Sequence, residues 1–95
     1  MADYFVYMLA RKRNGTLYVG VTSALPQLAY EHREGLAEGF TKDHGLKRLV
    51  YYEWHDTIQA AIQREKNIKH WPRAWKVRLI HAMNPDWDDL YDTLI

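Results

Sequence analysis

The sequence predicts a small α/β domain whose strands and helices follow the order β-β-α-β-α-α. Two observations support this prediction. Short runs of aromatic and β-branched residues alternate with segments of helical period. The chain has 95 residues, and a domain of that size has room for one hydrophobic core. We therefore expect one domain over residues 1–95, with a three-stranded, mostly antiparallel sheet flanked by helices.

The first two strands are predicted to form a hairpin around Asn14-Gly15. This pair lies between Tyr4–Arg13 and Thr16–Thr22, and Asn-Gly supplies the two positive φ angles of a type I′ turn. A two-residue loop places Arg11 opposite Tyr18.

The two faces of this hairpin differ in character. One face carries Tyr7 and Tyr18 with Gly20 beside them, where the backbone can be approached closely. The opposite face is wholly apolar and consists of Val6, Met8, Ala10, Leu17, Val19 and Val21.

The later elements follow from period and from start and stop signals. The prediction is a helix over about Leu25–Leu36, a loop from Phe40 to Gly45, a strand over Lys47–Trp54, a helix capped by Thr57 and running to about His70, a helix over Arg73–Ala82, and a short last turn within Asp86–Leu94.

Composition excludes several classes of site. The chain has no cysteine, so it has no disulfide, no thiolate zinc site and no cysteine nucleophile. It shows no signal peptide pattern and no apolar run long enough for a membrane span, which predicts a soluble cytoplasmic protein without a membrane partner. Residues 1–85 carry a net charge of +5, and an acidic tail at about 86–95 carries −4. A basic body of this kind is compatible with a nucleic-acid partner.

Glu65 is the most informative polar residue. It lies in the middle of an apolar arc on the helix after Thr57. A carboxylate there is costly to desolvate unless it meets a cation, a hydrogen-bond donor or a metal ion. A helix glutamate paired with a lysine and a metal ligand both remain open as interpretations.

His32 raises the same question on the first helix. It follows Leu28 and Ala29 on an apolar stripe. His32 could be a packing residue with a satisfied hydrogen bond, or it could be a general base or a hydrogen-bond donor to a phosphate.

A set of basic residues, interleaved with Trp71 and Trp75, is suited to the phosphate backbone of a nucleic acid. A solvated basic face with tryptophans in the core is the other interpretation. The candidate nucleic-acid-binding residues are Arg11, Arg33, Arg64, Lys66, Lys69, Arg73 and Lys76.

Several segments in their order resemble the GIY-YIG nuclease family, and above all its small stand-alone bacterial members. A larger relative is the N-terminal domain of the excision-repair nuclease subunit. The resemblance covers nearly the whole chain and rests on Phe5-Val6-Tyr7, Tyr18-Val19-Gly20, Glu31-His32-Arg33, Arg64-Glu65-Lys66 and Trp71–Trp75.

The resemblance implies a GIY-YIG-like fold and a DNA endonuclease that uses one divalent ion, Mg²⁺ or Mn²⁺. It implies that Tyr7 and Tyr18 position or activate the attacking water and that Glu65 binds the metal ion. It also implies that His32 helps to hold the reacting groups. The ion would act as a Lewis acid on a phosphoryl oxygen and needs only one or two carboxylates.

The chain departs from the family at one catalytic position. The family's arginine falls four residues before His32 and eight after Gly20, and both counts end on Leu28. Leucine cannot stabilise the charge that develops at phosphorus. Three interpretations follow: a metal-dependent phosphodiesterase acting on DNA, an inactive nucleic-acid-binding module, or a self-associating or protein-binding domain.

Overall fold

Three strands form an antiparallel sheet with helices on both sides. The structure, a computed structural model, describes residues 2–37 and 39–94. Its elements are β1 (Tyr4–Ala10), β2 (Leu17–Thr22), α1 (Leu25–Arg33), α2 (Phe40–Asp43), β3 (Arg48–His55), α3 (Ile58–His70), α4 (Arg73–Met83) and a 3-10 helix (Leu90–Leu94). The strand order is β2-β1-β3, and both neighbours of β1 are antiparallel to it. This confirms the predicted fold class and the order of the main elements.

The predicted hairpin register was wrong by two residues. The observed register pairs Leu9 with Tyr18 and Tyr7 with Gly20. Asn14 alone in this turn has a positive φ, of 59°, so the turn is not the predicted type I′ pair. The chain closes through a longer loop, and Arg11 lies beyond the end of β1. Because side chains alternate with a period of two, a two-residue shift leaves every side chain on its predicted face.

Two helical predictions also needed correction. Helix α1 ends at Arg33 rather than Leu36, because Gly35 adopts a positive φ of 72° that stops the helix. The segment predicted as a loop from Phe40 contains the one-turn helix α2. Helix α3 begins as predicted, with the Thr57 hydroxyl accepting a hydrogen bond from the Ala60 amide at 3.1 Å.

Both faces of the sheet are buried. The valine face, defined by Val6, Met8, Ala10, Leu17, Val19 and Val21, packs under α3 and α4. The tyrosine face, defined by Tyr7, Leu9, Tyr18 and Gly20, packs under α1 and the 3-10 helix. Strand β2 is an edge strand, so a residue on α3 can reach round it to the tyrosine face.

The segment after α4 is attached to the sheet by buried groups. The Asn84 side-chain amide donates to the carbonyl oxygen of Val50 at 3.1 Å. Trp87 is fully buried in the core under the valine face. The predicted acidic tail is therefore packed against the domain and carries part of its core. Within the described residues, none of the helices combines the length and apolar character needed to cross a bilayer.

Candidate functional site

Two tyrosines and a glycine form the centre of the candidate site. Tyr7 lies opposite Gly20 across the β1–β2 ladder, and the Tyr7 and Tyr18 ring centroids are 6.3 Å apart. A Cβ atom built on Gly20 would lie only 2.6 Å from Cζ of Tyr7 and 3.0 Å from Cε2 of Tyr18. Tyr7 is buried, so its ring has little room to move away. Glycine is therefore required here because the Tyr7 phenol crosses the backbone of β2.

The protonation state of Tyr7 follows from its surroundings. Burial raises the pKa of the Tyr7 phenol well above its ordinary value, and the neighbouring Tyr18 and Glu65 raise it further. A tyrosine phenol is neutral at pH 7 even at its ordinary pKa, and the raised pKa of Tyr7 keeps it neutral in alkaline solution as well. In this state the phenol can donate a hydrogen bond to an anionic group.

Glu65 reaches this site together with a lysine one helical turn later. Its carboxylate is 17 % exposed and lies 3.0 Å from the Lys69 ammonium. The same ammonium lies 5.7 Å from the centroid of the Tyr18 ring. Since Tyr18 belongs to the tyrosine face, the Glu65–Lys69 pair extends round the β2 edge to the two tyrosines. The structure thus brings together Tyr7, Tyr18 and Glu65 of the predicted site residues.

Helix α1 supplies the other two predicted positions. Leu28 is partly buried and packs against the cluster that contains Tyr7 and Tyr18. His32 is half-buried, and burial lowers its pKa while Glu31 opposes the shift. The imidazole is therefore neutral at pH 7. Within residues 2–37 and 39–94, no hydrogen bond links His32 to either tyrosine.

Among the described residues, the carboxylates near the tyrosines are few, which limits the kind of metal ion that they could hold. Across the described part of the chain, no group of three or more His, Asp or Glu side chains is arranged to hold a metal ion. A hydrated Mg²⁺ keeps most of its waters and needs only one or two carboxylates. One largely buried carboxylate fits such an ion, and Glu65 is the residue that could hold it in place of its contact with Lys69.

The predicted nucleic-acid-binding residues are mostly engaged within the chain. Arg33 pairs with Asp92, Arg64 with Glu53 and Lys69 with Glu65, while Arg73 donates to the carbonyl oxygens of Asn14 and Gly15 and Lys76 to that of Lys69. Arg11 and Lys66 are exposed. Trp71 packs on the core under the valine face and meets Trp75 edge to face at 5.9 Å. The nucleic-acid-binding role of these basic residues and tryptophans stays a prediction.

Sequence reasoning missed one residue beside the site. The Phe40 ring on α2 lies 6.3 Å from the Tyr18 ring. A helix of four residues has no periodicity to detect, and the glycines on either side of it indicate a loop. An aromatic residue in that loop was the only available signal.

Known proteins share this arrangement of elements. The family model of the GIY-YIG catalytic domain matches residues 3–78. A UPF0213 protein from Natronomonas pharaonis is 38 % identical over 79 residues, which span 83 % of this chain and 92 % of the relative. A UPF0213 protein from Staphylococcus aureus is 34 % identical over 80 residues, spanning 84 % and 96 %.

A solved structure agrees at the level of the fold. The solution NMR structure of a UPF0213 protein from Bacillus halodurans superimposes with a TM-score of 0.56 at 24 % identity, covering 92 % of each chain. The family model spans most of the chain, and the curated relatives align along nearly their whole length. This chain therefore belongs to the GIY-YIG nuclease family.

Proposed function

We propose that this chain is a GIY-YIG-type endonuclease domain that hydrolyses DNA phosphodiester bonds with one divalent ion, Mg²⁺ or Mn²⁺. The observation that carries the proposal is the convergence of Tyr7, Tyr18 and Glu65 at the β2 edge. A carboxylate with a single intramolecular partner beside two phenols is suited to a scissile phosphate and its water.

Each residue has a defined task in this proposal. Glu65 would hold the ion, which would supply Lewis-acid polarisation of a phosphoryl oxygen. Tyr7, a neutral phenol, donates a hydrogen bond, and Tyr18 orients the attacking water beside it. His32 is neutral at pH 7 and is available as a proton acceptor.

Positive charge at the site comes from α3 in this proposal. Leu28 occupies the position where the family supplies an arginine, and its side chain packs against the buried cluster that contains Tyr7. Lys69 is the cation beside Tyr18. The Lys69 ammonium, beside both Glu65 and Tyr18, is the group of α3 that would contact a phosphate oxygen. A flexible lysine replaces a bidentate arginine poorly, so we expect slow cleavage.

The second candidate function is a DNA-binding module without activity. Leu28 favours it, because the transition state for phosphoryl transfer requires a fixed cation. A catalytically inactive protein-interaction module of the same fold is the remaining alternative.

A cleavage assay separates these functions. Single-stranded, duplex and branched DNA are incubated with the protein in Mg²⁺ or Mn²⁺, beside the variant Glu65→Gln and the control Glu34→Gln. Glu34 is an exposed glutamate that follows α1. We expect Glu65→Gln to lower the cleavage rate by at least about 100-fold and Glu34→Gln to leave it unchanged. Equal cleavage by all three proteins contradicts the role of Glu65. Binding of DNA without cleavage by any of them favours the binding module.

A further inference from the structure

Four aromatic rings form a row that leaves the candidate site. The Tyr7 and Tyr18 centroids are 6.3 Å apart, and Tyr18 and Phe40 are also 6.3 Å apart. Phe40 then stacks on His44 at 3.9 Å with an interplanar angle of 23°. The row runs from Tyr7, which is 4 % exposed, to Phe40, which is 50 % exposed. It therefore connects the buried part of the site with the surface.

The outer pair of this row is held in place although it contributes little to the core. Nδ1 of His44 lies 2.9 Å from the carbonyl oxygen of Phe40, one turn of α2 earlier. This contact keeps the imidazole against the phenylalanine ring. Half of the Phe40 surface remains open to a ligand. A fixed and exposed aromatic pair beside a candidate site is suited to a planar ligand.

Charge near the row indicates an anionic ligand. The Lys69 ammonium lies 5.7 Å from the centroid of the Tyr18 ring, and Tyr18 is the ring that links Tyr7 to Phe40. Lys42 is an exposed residue of α2 itself. Aromatic platforms interleaved with cations bind single-stranded nucleic acid, because bases stack on the rings while cations meet the phosphates.

We propose that Phe40 and His44 form a stacking subsite for one unpaired base of a DNA strand whose backbone passes the tyrosine site. The inference rests on the proposed function for the position of the phosphate and does not require that the phosphate is cleaved. In a duplex the faces of each base are covered by its neighbours, so the subsite favours single-stranded or frayed DNA over intact duplex.

Fluorescence anisotropy tests the subsite in EDTA, where binding is measured without a metal ion or cleavage. The probes are a fluorescein-labelled single strand and a blunt duplex of the same sequence. We expect Phe40→Leu to weaken single-strand binding roughly 5- to 150-fold, the range that loss of one stacked base produces. We expect Phe40→Tyr to bind as the parent does and duplex binding to change by less than about twofold for both variants.

The comparison of these two variants isolates stacking, because leucine keeps an apolar side chain at position 40 and tyrosine keeps the ring. Leu36→Ala is the control, since Leu36 is 61 % exposed on the neighbouring loop, and we expect it to bind as the parent does. Thermal melts verify that each variant is folded. Equal single-strand binding by the leucine and tyrosine variants overturns the subsite, as does equal weakening of single strand and duplex.

The same variants distinguish the subsite from the proposed function. Binding that depends on the ring at position 40, in a protein that cleaves no DNA, supports the subsite and contradicts the nuclease proposal. Cleavage that is unaffected by Phe40→Leu on single-stranded DNA supports the nuclease proposal and overturns the subsite.

Discussion

Glu53 and Glu65 are equally buried and have very different surroundings. Their side chains are 18 % and 17 % exposed. Glu53 on β3 is contacted by the Tyr51 hydroxyl at 2.6 Å, by Nε2 of His55 at 2.6 Å and by Nε of Arg64 at 3.0 Å. Within the described residues, Glu65 has only the Lys69 ammonium, which belongs to a side chain 45 % exposed. Burial alone therefore does not distinguish the two carboxylates, whereas the number of their partners among the described residues does.

Glu53, the carboxylate with several hydrogen-bond partners, is stabilised in its ionised form by the fold. Burial by itself pushes the pKa of Glu53 upward. Hydrogen bonds from Tyr51, Arg64 and His55, together with the charge of Arg64, outweigh that effect and leave the pKa below its ordinary value. Glu53 thus has the properties of a structural link between β3 and α3. Glu65 keeps lone pairs available for a ligand.

The largest expected effect comes from restoring an arginine at Leu28, where the family supplies its catalytic cation. We expect Leu28→Arg to raise DNA cleavage about 100- to 1,000-fold, because a fixed guanidinium stabilises charge at the phosphoryl group. The variant should also be less stable by a few kcal/mol, since Leu28 is partly buried. Leu28→Met is the control for altered packing and should leave the cleavage rate near that of the parent. Matched cleavage assays and thermal melts measure both effects. A folded arginine variant that is no faster would favour the binding module.

The next effect is a difference in how much each glutamate contributes to the free energy of unfolding. We expect Glu53→Gln to lower the free energy of unfolding by about 1.5–3 kcal/mol, because it weakens charge-assisted hydrogen bonds and leaves Arg64 without a carboxylate. Glu65→Gln should cost only about 0.3–0.5 kcal/mol, as is usual for a helical pair one turn apart. Urea denaturation of both variants at pH 7 measures the difference. Equal losses would show that Glu65 is as structural as Glu53.

The smallest expected effect is a pH dependence that belongs to Glu53. Its pKa is lower in the folded protein than in the unfolded chain, so the unfolded chain takes up the proton first as pH falls. The stabilisation is complete above about pH 5 and is lost as pH falls below about 4.3, the ordinary value for glutamate. The stability difference between the parent and Glu53→Gln should therefore shrink between pH 5 and about pH 3. Urea denaturation across that range is the measurement. A difference that stays constant would indicate a role in packing without charge.

Local patterns were sufficient for much of this fold. Alternation of apolar and polar residues placed Tyr7 and Tyr18 on one face, and that assignment is independent of a two-residue error in register. Helical period placed Glu65 on an apolar arc, and Thr57 marked the start of α3. These signals extend over a few residues of one element, so neighbours in space are not needed to detect them.

Contacts between distant segments decided the rest. The one-turn helix α2 and the burial of Trp87 had no local pattern that predicted them. The partners of Glu53 were undetermined, because the sequence offers many lysines and arginines to it, whereas Lys69 follows Glu65 by one helical turn, a local spacing. Arg64 lies eleven residues from Glu53, and only the packing of α3 against the sheet brings them together.

The sequence by itself determined the family and the faces of the hairpin, and it indicated the residues proposed for catalysis, because motif spacing and side-chain period are local properties. Tertiary structure alone decided the turn and register of the hairpin, the position of Phe40 beside Tyr18 and the partners of Glu53. Those features depend on which surfaces meet when the helices pack on the sheet. Contacts between these surfaces depend on the free energy of the whole fold, so no single segment of the sequence is sufficient to predict them.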